Sequence, residues 1–471
     1  MGRRYDVAII GAGSAGLSAL RCVRARTDDF LLINDGIDGT TCARVGCMPS
    51  KVLVEIADAF HRRHALAKMG IRGGRSLEVD QAAAMKRVRE LRDRYVAGVR
   101  GTTRDLGKRY VSGRARFVGP RSLDVDGRRV EAERIIIATG SRPIVPKGWG
   151  ELQDRLLTTD SLFEHRRLPA QMAVIGMGAL GVEMAQGLVR LGVKVTGFDA
   201  LTRVAGITDA RINEQAIAIL REELPIHLGA PAELRVAGKR VEVRAGRVRV
   251  RVDAVLAALG RRPNVDDLGL ETIGMALDER GMPAFDRTTM QIGTLPIFIA
   301  GDAAADFPLL HEAADEGFIA GYNATRKRPE CFQRRTRLAI VFTDPNIAVV
   351  GRSRASLGDG EAVVGEVDLE NQGRLRMSED DHGRIHVYAD AKSGRLLGAE
   401  LCAPSGEHLA HWLALAVQQQ MTIPDLLRVP FYHPVVEEGL RTALRGASKQ
   451  LRAMRGADLA ACEGSAAVAL G

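Results

Sequence analysis

The chain has 471 residues, 46% of them hydrophobic, and carries a formal net charge of +9. This length exceeds one ordinary hydrophobic core, so we expect about three domains. No apolar run has the length of a membrane span, and the dispersed basic charge forms no stripe interleaved with aromatic residues, so we expect neither a membrane nor a nucleic-acid partner. Six scattered cysteines argue against a secreted disulfide framework and predict a reducing, cytoplasmic setting.

The first predicted unit is a strand, a glycine-rich turn and a helix. An apolar β-branched run at residues 5–10 leads into Gly11, Gly13 and Gly16, and helical spacing follows over residues 17–26. In this pattern the first glycine makes a tight turn and the second lets the backbone approach a pyrophosphate. The third glycine allows close packing of the helix on the strand. The pattern predicts a dinucleotide-binding unit.

The second strand of this unit ends at an unusual residue. Residues 30–33 are apolar and are followed by Asn34 and Asp35. An acid that binds ribose hydroxyls is expected near this point. The usual position holds Asn34, so we expect Asn34 or Asp35 to make this contact.

Residues 39–51 hold two of the six cysteines, Cys42 and Cys47. On a straight helix, residues five apart rise by about 7.5 Å, whereas the Cα atoms of a disulfide lie within roughly 7 Å. The pair can therefore bridge only if the chain is distorted, and Gly46 supplies that freedom. Pro49 suits the first turn of the following helix, which places Cys47 near a helix N-terminus and favours its thiolate. The pattern indicates a dithiol that cycles.

Two other interpretations of the cysteine pair are open. A zinc site needs four ligands, usually in two close pairs, and the sequence has no second close pair of cysteines. Two unrelated buried thiols would be ordinary in a cytoplasmic protein. The histidine pairs His61/His64 and His408/His411 have helical spacing but no acid or cysteine placed beside them, so we expect no metal site.

The middle of the first domain mixes helices and strands. Residues 52–105 predict long amphipathic helices, and residues 110–134 alternate like a β-meander with a turn at residues 126–127. A buried strand then ends in a tight turn at Thr139 and Gly140.

The strand–glycine–helix unit then repeats. Residues 172–175 precede Gly176, Gly178 and Gly181, and the next strand ends at Asp199. A carboxylate at this position accepts hydrogen bonds from a ribose and repels a 2′-phosphate, which favours NADH over NADPH.

Both copies of the unit close in a similar way. A strand, a glycine and an Arg-Pro or Arg-x-Pro group occur at Gly140 and again at Gly260. Two copies imply two dinucleotide-binding domains, and two such domains in one chain imply electron transfer between two cofactors.

Two further elements carry candidate chemistry. Gly301 and Asp302 follow a short buried strand, where a carboxylate is placed to bind a ligand hydroxyl; capping of the next helix is the alternative. The last part of the chain reads as an α+β module. In it, His433 precedes a helix that has Glu438 in its first turn, which by itself would also suit a well-capped helix.

Together these motifs resemble the flavin-dependent pyridine nucleotide–disulfide oxidoreductases over residues 4–446. Within that family the dihydrolipoyl dehydrogenase branch is the nearest likeness, since its Gly-Gly-Thr-Cys-x-x-x-Gly-Cys-x-Pro-Ser-Lys pattern is matched with Thr40 in place of a glycine. The resemblance implies an α/β fold with two Rossmann-like domains, the second inserted in the first, and a C-terminal α+β dimerisation domain. The expected bounds are residues 1–145 and 268–335 for FAD binding, 146–267 for NAD binding, 336–446 for dimerisation and 447–471 for a flexible tail.

The resemblance also implies roles for individual residues. The implied catalytic residues are Cys42, Cys47, Lys51, Glu183, His433 and Glu438. Of these, Cys47 faces the flavin and Cys42 exchanges with the substrate, while His433 acts as a base on the active site of the other subunit, which implies a homodimer. The implied binding residues for the cofactors FAD and NAD are Gly11, Gly13, Gly16, Asn34, Asp35, Thr41, Lys51, Thr139, Gly140, Gly176, Gly178, Gly181, Asp199, Gly260, Gly301 and Asp302.

The reaction implied by the resemblance is the oxidation of a protein-bound dihydrolipoyl dithiol by NAD+ through the Cys42–Cys47 disulfide and FAD. The implied partner is a lipoyl-bearing carrier protein or a small dithiol or disulfide. Reduction of another low-molecular-weight disulfide, such as glutathione, with NAD(P)H is the alternative. A flavin-bearing docking subunit with vestigial chemistry is a third interpretation, but such a scaffold would need neither the cysteine pair nor His433.

Overall fold

The structure of the chain, a computed structural model, describes residues 4–451 and residue 459. Cys462 and most of the predicted tail lie outside these described residues. Within residues 4–451, no helix combines the length and the apolar character needed to cross a bilayer.

Helices and strands alternate along most of the chain. Up to residue 145 they are β1 (Arg4–Ile10), α1 (Ser14–Arg24), β2 (Phe30–Asn34), α2 (Thr41–Val45), α3 (Cys47–His61), α4 (Arg63–Leu66), α5 (Gln81–Arg104), β3 (Tyr110–Ser112), β4 (Ala115–Gly119), β5 (Ser122–Val125), β6 (Arg128–Ile137) and β7 (Ser141–Pro143). From residue 146 to 267 they are β8 (Leu156–Leu157), α6 (Thr159–Leu162), β9 (Gln171–Ile175), α7 (Ala179–Arg190), β10 (Lys194–Asp199), α8 (Ala210–Glu223), β11 (Ile226–Leu228), β12 (Glu233–Ala237), β13 (Arg240–Ala245), β14 (Val248–Val252), β15 (Ala254–Ala257) and β16 (Arg261–Pro263). From residue 268 they are β17 (Ile297–Ile299), α9 (Leu310–Ala324), β18 (Leu338–Val341), β19 (Asn346–Gly351), β20 (Ala362–Asp368), α10 (Gly373–Ser378), β21 (Arg384–Asp390), β22 (Leu396–Ala403), α11 (Gly406–Gln418), α12 (Ile423–Leu427) and α13 (Glu437–Gln450). Short 3₁₀ helices cover Gly74–Ser76, Gly107–Arg109, Trp149–Arg155, Leu270–Thr272, Gly301–Ala304 and Arg354–Ser356.

The parallel strands of the first sheet all end at the same edge of the sheet. β1 pairs in parallel with β2 and β6, so that Ile10 lies opposite Ile33 and Ile137. β17 pairs in parallel with the second half of β6, and β3 pairs in parallel with β2. Gly11 and Asn34 therefore lie together at the carboxyl edge of the sheet, which is where ligands bind in open α/β folds.

The meander predicted over residues 110–134 is correct only in part. β3 belongs to the parallel part of the sheet, because it pairs with β2. The meander itself consists of β4, β5 and the first half of β6, with the predicted turn at residues 126–127. The buried strand predicted after it is the second half of β6, because the apolar residues 135–137 continue the same extended chain.

The second sheet repeats the arrangement of the first. Its strands run in the order β11-β10-β9-β15-β8, and Ile175 of β9 lies opposite Phe198 and Ala257. β12, β13 and β14 form a separate antiparallel sheet. The chain leaves the first sheet through β7 and returns through β16, and these two strands pair with Ser141 opposite Pro263. The second unit is thus inserted in the first.

The C-terminal part forms an antiparallel sheet in the order β18-β19-β22-β21-β20, with α11 packed on β19 and β22 and α13 on β20 and β21. Within it, the apolar stretches at residues 338–341 and 346–350 form two paired strands, because a turn at residues 342–345 reverses the chain. α13 ends at Gln450, so residues 447–450 belong to a helix and not to the predicted tail. The predicted fold class is confirmed, and the numerical domain bounds remain predictions.

Helices α1 and α9 pack backbone against backbone beside the first glycine turn. A Cβ added at Gly317 would overlap the backbone of Ala15, and one added at Gly321 would overlap that of Ala19. Residues four apart share one face of a helix. The two glycines on this face of α9 therefore let α9 pack directly on the backbone of α1.

We expect Gly317→Ala to destabilise the protein by about 1–3 kcal/mol, because the new methyl group has no space without a shift of α1. Gly98→Ala is the matched control: Gly98 lies inside α5 with nothing within 4 Å of an added Cβ. This substitution should leave stability unchanged or raise it by up to ~1 kcal/mol. Thermal unfolding of both variants checks the packing, and equal unfolding midpoints would contradict it.

Candidate active site

The two glycine-rich turns have the same construction. The first glycines, Gly11 (φ 106°) and Gly176 (φ 96°), have left-handed backbone that other residues rarely adopt. The third glycines, Gly16 and Gly181, pack so closely that an added Cβ would overlap the carbonyl oxygen of the first glycine. These four residues are glycines because the fold itself requires them.

The middle glycines are different, because no packing within the described part of the chain requires them. Among the described residues, an added Cβ at Gly13 would find Ala138 O at 4.0 Å as its nearest neighbour, and one at Gly178 would find nothing within 4 Å. Both residues have ordinary negative φ and cap the N-termini of α1 and α7. Open space above two helix N-termini fits a pyrophosphate that approaches the backbone closely.

The residues at the ends of β2 and β10 tie each glycine turn to its sheet. Asn34 Oδ1 accepts a hydrogen bond from the backbone N–H of Ala12 at 3.0 Å, and Asp199 Oδ2 accepts one from Met177 at 2.6 Å. The other oxygen of Asp199 accepts from the N–H of Leu201 at 2.8 Å. Asn34 and Asp199 are thus structural equivalents, and only Asp199 carries a charge.

A carboxylate that the sequence reasoning missed stands behind Asn34. Asn34 Nδ2 donates to Asp38 Oδ1 at 3.4 Å, and the hydroxyl of Tyr110 donates to the same oxygen. Burial and this hydrogen bond raise the pKa of Tyr110 to about 12. Tyr110 reaches Asp38 because β3 pairs with β2 and brings Tyr110 alongside that strand. The sequence pattern did not predict this pairing.

A cavity of about 390 Å³ opens beside the first glycine turn, and its wall includes Gly11, Asn34, Asp35 and Thr139. The hydroxyl oxygen of Thr139 is buried and has no hydrogen-bond partner among the described residues. An unpaired buried hydroxyl costs about 1–3 kcal/mol, which a bound polar group recovers. The cavity, its unpaired hydroxyl and the open middle glycine fit the ribose and phosphate groups of a dinucleotide such as FAD.

Asp302 lies where the two nucleotide-type units join. It belongs to the 3₁₀ turn Gly301–Ala304 after β17. Its carboxylate accepts a hydrogen bond from the hydroxyl of Ser141 at 2.5 Å and lies 4.0 Å from Arg261 Nε. Ser141 and Arg261 come from β7 and β16, the ribbon that links the units. Asp302 does not cap the next α-helix, because α9 begins eight residues later in the sequence.

Cys42 and Cys47 come together at a break between two helices. Thr40 caps α2 by accepting a hydrogen bond from the N–H of Ala43 at 3.1 Å. Gly46 (φ −121°, ψ −121°) interrupts the helical backbone, and α3 begins at Cys47. Both cysteines are free thiols in this structure, and the interaction between their side chains shifts their pKa values in opposite directions. The distortion predicted at Gly46 is present.

The two thiols differ in acidity. The hydrogen bond with Cys42 is the strongest influence on Cys47, and with the charge of Lys51 it outweighs burial and lowers the pKa of Cys47 to about 7. The same hydrogen bond, together with burial, raises the pKa of Cys42. Cys47 is therefore the thiolate and the better leaving group of the pair.

The charge near the thiolate is held by an ion pair between the two nucleotide-type units. Lys51 Nζ, on α3, lies 2.5 Å from Glu183 Oε1, on α7. Lys51 also lies over the ring of Phe342, 4.5 Å from its centroid, and the N–H of Phe342 donates to Glu183 Oε2 at 3.3 Å. Glu183 is buried, and the Lys51 side chain is 34% exposed. Three parts of the chain thus meet at one ammonium group.

His433 forms a second group of polar side chains. Its Nδ1 lies 3.0 Å and 3.1 Å from the two carboxylate oxygens of Glu438, and its side chain is 80% exposed. The N–H of Val435 donates to Glu438 at 3.3 Å and helps to orient the carboxylate. Within residues 4–451, the hydrogen bonds found for His433 run to Glu438 and not to the dithiol of the same chain.

The remaining predicted residues lie near these groups. Thr41 is the first residue of α2, directly before Cys42. Gly140 (φ 68°) and Gly260 (φ 88°) form the turns that lead into β7 and β16.

Comparison with known proteins identifies the family. The profile described as Pyridine nucleotide-disulphide oxidoreductase matches residues 5–317, and the profile of its dimerisation domain matches residues 338–444. The chain belongs to this family. It is therefore an oxidoreductase, and the predicted cofactors, FAD and NAD(H), are confirmed. The dimerisation domain supports the predicted homodimer.

The family members most relevant to function are dihydrolipoyl dehydrogenases. The chain is 30% identical to that of Thermus scotoductus over 464 residues, covering 95% of this chain and 98% of the relative. It is 29% identical to that of Haloferax volcanii over 475 residues, covering 94% and 96%. Among solved structures, the HOCl-induced flavoprotein disulfide reductase RclA from Escherichia coli, as a Cu(II) complex, aligns with a TM-score of 0.81 at 25% identity, covering 94% and 99%. LpdA from Mycobacterium tuberculosis aligns with a TM-score of 0.80 at 25% identity, covering 94% and 99%.

The hydrogen bond between the thiols gives a direct test of the Cys47 acidity. In Cys42→Ser a hydroxyl still donates to Cys47, so alkylation of Cys47 by iodoacetamide should keep a pH midpoint near 7. In Cys42→Ala that donor is lost, and the midpoint should rise by about one pH unit or more. Peptide-resolved mass spectrometry measures the alkylation at each pH. Equal midpoints in these two similar variants would show that the hydrogen bond does not set the pKa.

Proposed function

We propose that this family member oxidises a protein-bound dihydrolipoyl dithiol with NAD+. The feature that carries the proposal is the unequal dithiol: the pKa of Cys47 is lowered to about 7, in part by Lys51, and the pKa of the neighbouring Cys42 is raised. This is the asymmetry that exchange with a second dithiol needs, because one sulfur must leave and the other must be attacked. The relatives named dihydrolipoyl dehydrogenase, similar over nearly the whole chain, support the choice of substrate.

The exchange begins with the enzyme oxidised, with Cys42 and Cys47 joined as a disulfide. A substrate thiol loses its proton to His433, and the resulting thiolate attacks the sulfur of Cys42. The Cys42–Cys47 bond breaks, and Cys47 leaves as a thiolate. The second substrate thiol then attacks the first substrate sulfur, and its proton passes to Cys42, which is released as a thiol. The substrate gains a disulfide, His433 keeps the first proton, and the enzyme holds the electron pair as the Cys42 thiol and the Cys47 thiolate.

The remaining residues prepare the transfer of that pair to NAD+. Bound FAD supplies the relay of two electrons from the dithiol to the nicotinamide. Gly13 and Gly178 leave room for the two pyrophosphates, and Lys51 stabilises the negative charge that stays on Cys47. Asp199 binds a ribose and repels a 2′-phosphate, so NAD+ is preferred over NADP+.

His433 serves the dithiol of the partner subunit in this proposal. Its side chain projects into solvent from the dimerisation domain, held by Glu438, and this exposure supports a role across a subunit boundary. The carboxylate of Glu438 fixes the imidazole and stabilises its charged form.

The surroundings of His433 bear on the choice between a lipoyl group and glutathione. An apolar pocket of about 270 Å³ lies beside it, lined among others by Trp412, Phe431 and Leu440. An aliphatic dithiol suits such a surface better than the charged glutathione disulfide does. Reduction of a small disulfide remains the second candidate, because the structurally similar RclA is named a disulfide reductase. We further propose a lipoyl-bearing carrier protein as partner and the cytoplasm as location.

The test of this function compares free dihydrolipoamide, lipoyl-carrier proteins and glutathione, each with NAD+ and NADP+. We expect the dihydrolipoyl substrates to react, and NAD+ to exceed NADP+ by about 100-fold, because Asp199 opposes the extra phosphate. Strong activity with glutathione beside negligible activity with either lipoyl substrate would overturn the choice of substrate.

The base is tested by His433→Ala. We expect thiol–disulfide exchange to slow by about 10²–10⁴-fold while reduction of the flavin by NADH is unchanged, because only the exchange needs the proton acceptor. Stopped-flow absorbance separates the two steps. His408→Ala is the matched control, since His408 is also exposed beside a glutamate, at 3.6 Å from Glu407. Unimpaired exchange in His433→Ala would remove this residue from the mechanism.

A further inference from the structure

A second ion pair lies two helical turns from the Lys51–Glu183 pair. Arg190 Nη1 lies 2.6 Å from Asp58 Oδ1. Asp58 follows Lys51 by seven residues on α3, and Arg190 follows Glu183 by seven residues on α7. Seven residues span about 10.5 Å of helix, so the two helices run side by side in the same direction. We call these two ion pairs the charge ladder, with Lys51–Glu183 as its upper rung and Asp58–Arg190 as its lower rung.

The charge ladder fixes how α3 sits along α7. Gly187 lies between its two rungs, and a Cβ there would come within 2.9 Å of Leu53 Cδ2 on α3. The helices are thus in close contact between the rungs. A shift of α3 by one residue, about 1.5 Å, would lengthen both ion pairs at once. One rung alone would leave α3 free to tilt about it.

The arginine of the Asp58–Arg190 pair is buried and makes several hydrogen bonds. The side chain of Arg190 is 2% exposed, and its Nε and Nη2 hydrogen-bond to the two carboxylate oxygens of Glu223 at 2.8 Å and 2.7 Å. Its Nη1 also donates to Asp344 Oδ2 at 3.0 Å. Burial opposes the charge of Arg190, but these carboxylates outweigh it and raise the pKa of the guanidinium. Arg190 is therefore a fixed cation shared by three parts of the chain.

Asp344 provides a second route from Arg190 to Lys51. Its N–H donates to Gln186 Oε1 at 2.8 Å, and its carbonyl accepts from Gln186 Nε2 at 2.8 Å. Phe342 lies two residues before it in the same turn, over Lys51 and hydrogen-bonded to Glu183. The turn at residues 342–345, which covers the Lys51–Glu183 pair, is thus held in place by the bonds of Asp344 to Gln186 and Arg190.

We propose that Arg190 is a positioning residue for the dithiol. Cys47 and Lys51 lie one turn apart on α3, and Glu183 and Phe342 hold the end of the Lys51 side chain. Through Asp58 and Asp344, Arg190 keeps α3 in register with these two partners, so that the ammonium stays on the Cys47 side. Arg190 itself touches neither sulfur. The inference rests on the proposed use of Cys47 as a thiolate, and it predicts that the acidity of this thiol depends on a residue two helical turns away.

The test measures the acidity of Cys47 and not turnover. The flavin-loaded enzyme is used in a Cys42→Ser background, and the pH midpoint of Cys47 alkylation by iodoacetamide is read by peptide mass spectrometry. The titratable groups that face Cys47 are residue 42, Lys51 and Glu183. Those that face the lower rung are Asp58, Glu223, Asp344 and His61.

Arg190→Gln should raise the midpoint by about one pH unit, because the ammonium no longer stays beside the thiolate. Asp58→Asn removes one rung and leaves Arg190 with Glu223 and Asp344, so we expect a rise of about half a unit. Arg190→Lys should restore part of the shift, since it keeps the charge but not the paired hydrogen bonds. Arg240→Gln is the control: it breaks an exposed ion pair with Asp253 at 3.2 Å and should leave the midpoint unchanged.

A midpoint in Arg190→Gln equal to that of the background enzyme would overturn the inference. If Arg190→Gln does not fold with flavin bound, Asp58→Asn decides alone: a raised midpoint supports the inference, and an unchanged one overturns it. A background midpoint of an ordinary cysteine would instead contradict the proposed thiolate chemistry, so the two failures are distinguishable.

Discussion

The chemistry of this protein depends on one interruption of helical backbone, at Gly46. Without it, Cys42 and Cys47 would lie about 7.5 Å apart along a continuous helix and could not bond. An added Cβ at Gly46 would approach Thr41 O to 3.0 Å and the Cα of Cys42 to 3.2 Å, so the limited space at this position favours glycine. The same interruption makes Cys47 the first residue of a new helix. Proximity of the sulfurs and the acidity of one of them thus have a common structural origin.

The rest of the architecture brings three separate regions to this dithiol. The first nucleotide-type unit supplies α3 with Lys51, the inserted unit supplies α7 with Glu183, and the C-terminal domain supplies Phe342. Each unit carries its own open glycine turn at the carboxyl edge of a parallel sheet. The dithiol therefore lies close to the place where the two nucleotide-type units and the dimerisation domain meet.

Local pattern predicted much of this from the sequence. Both glycine turns and the helix break at Gly46 are consequences of short-range signals, whereas the insertion of the second unit was expected from the resemblance to the family. Local pattern could not predict contacts that depend on how distant elements pack. Tyr110 reaches Asp38 only because β3 joins the parallel sheet, and Arg190 reaches Asp58 only because α7 lies along α3. In the sequence these acids and this arginine look like ordinary helix and loop charges.

The sequence pattern also placed some limits of strands and helices imperfectly, and the reasons are physical. The turn at residues 342–345 separates two apolar strands, and its signal is the Asp344-Pro345 pair and not a change in the apolar pattern. Similarly, α13 extends to Gln450 because Ala447 packs in the core of the C-terminal domain, which a run of small residues does not reveal.

An anaerobic titration of the flavin-loaded enzyme with NADH tests the central claim most directly, namely that a Cys47 thiolate lies against the flavin. We predict that the first equivalent of NADH produces a long-wavelength absorption band from thiolate-to-flavin charge transfer, while the flavin itself stays largely oxidised. Simple bleaching of the flavin by that equivalent, with no new band and no new titratable thiols, would contradict the account.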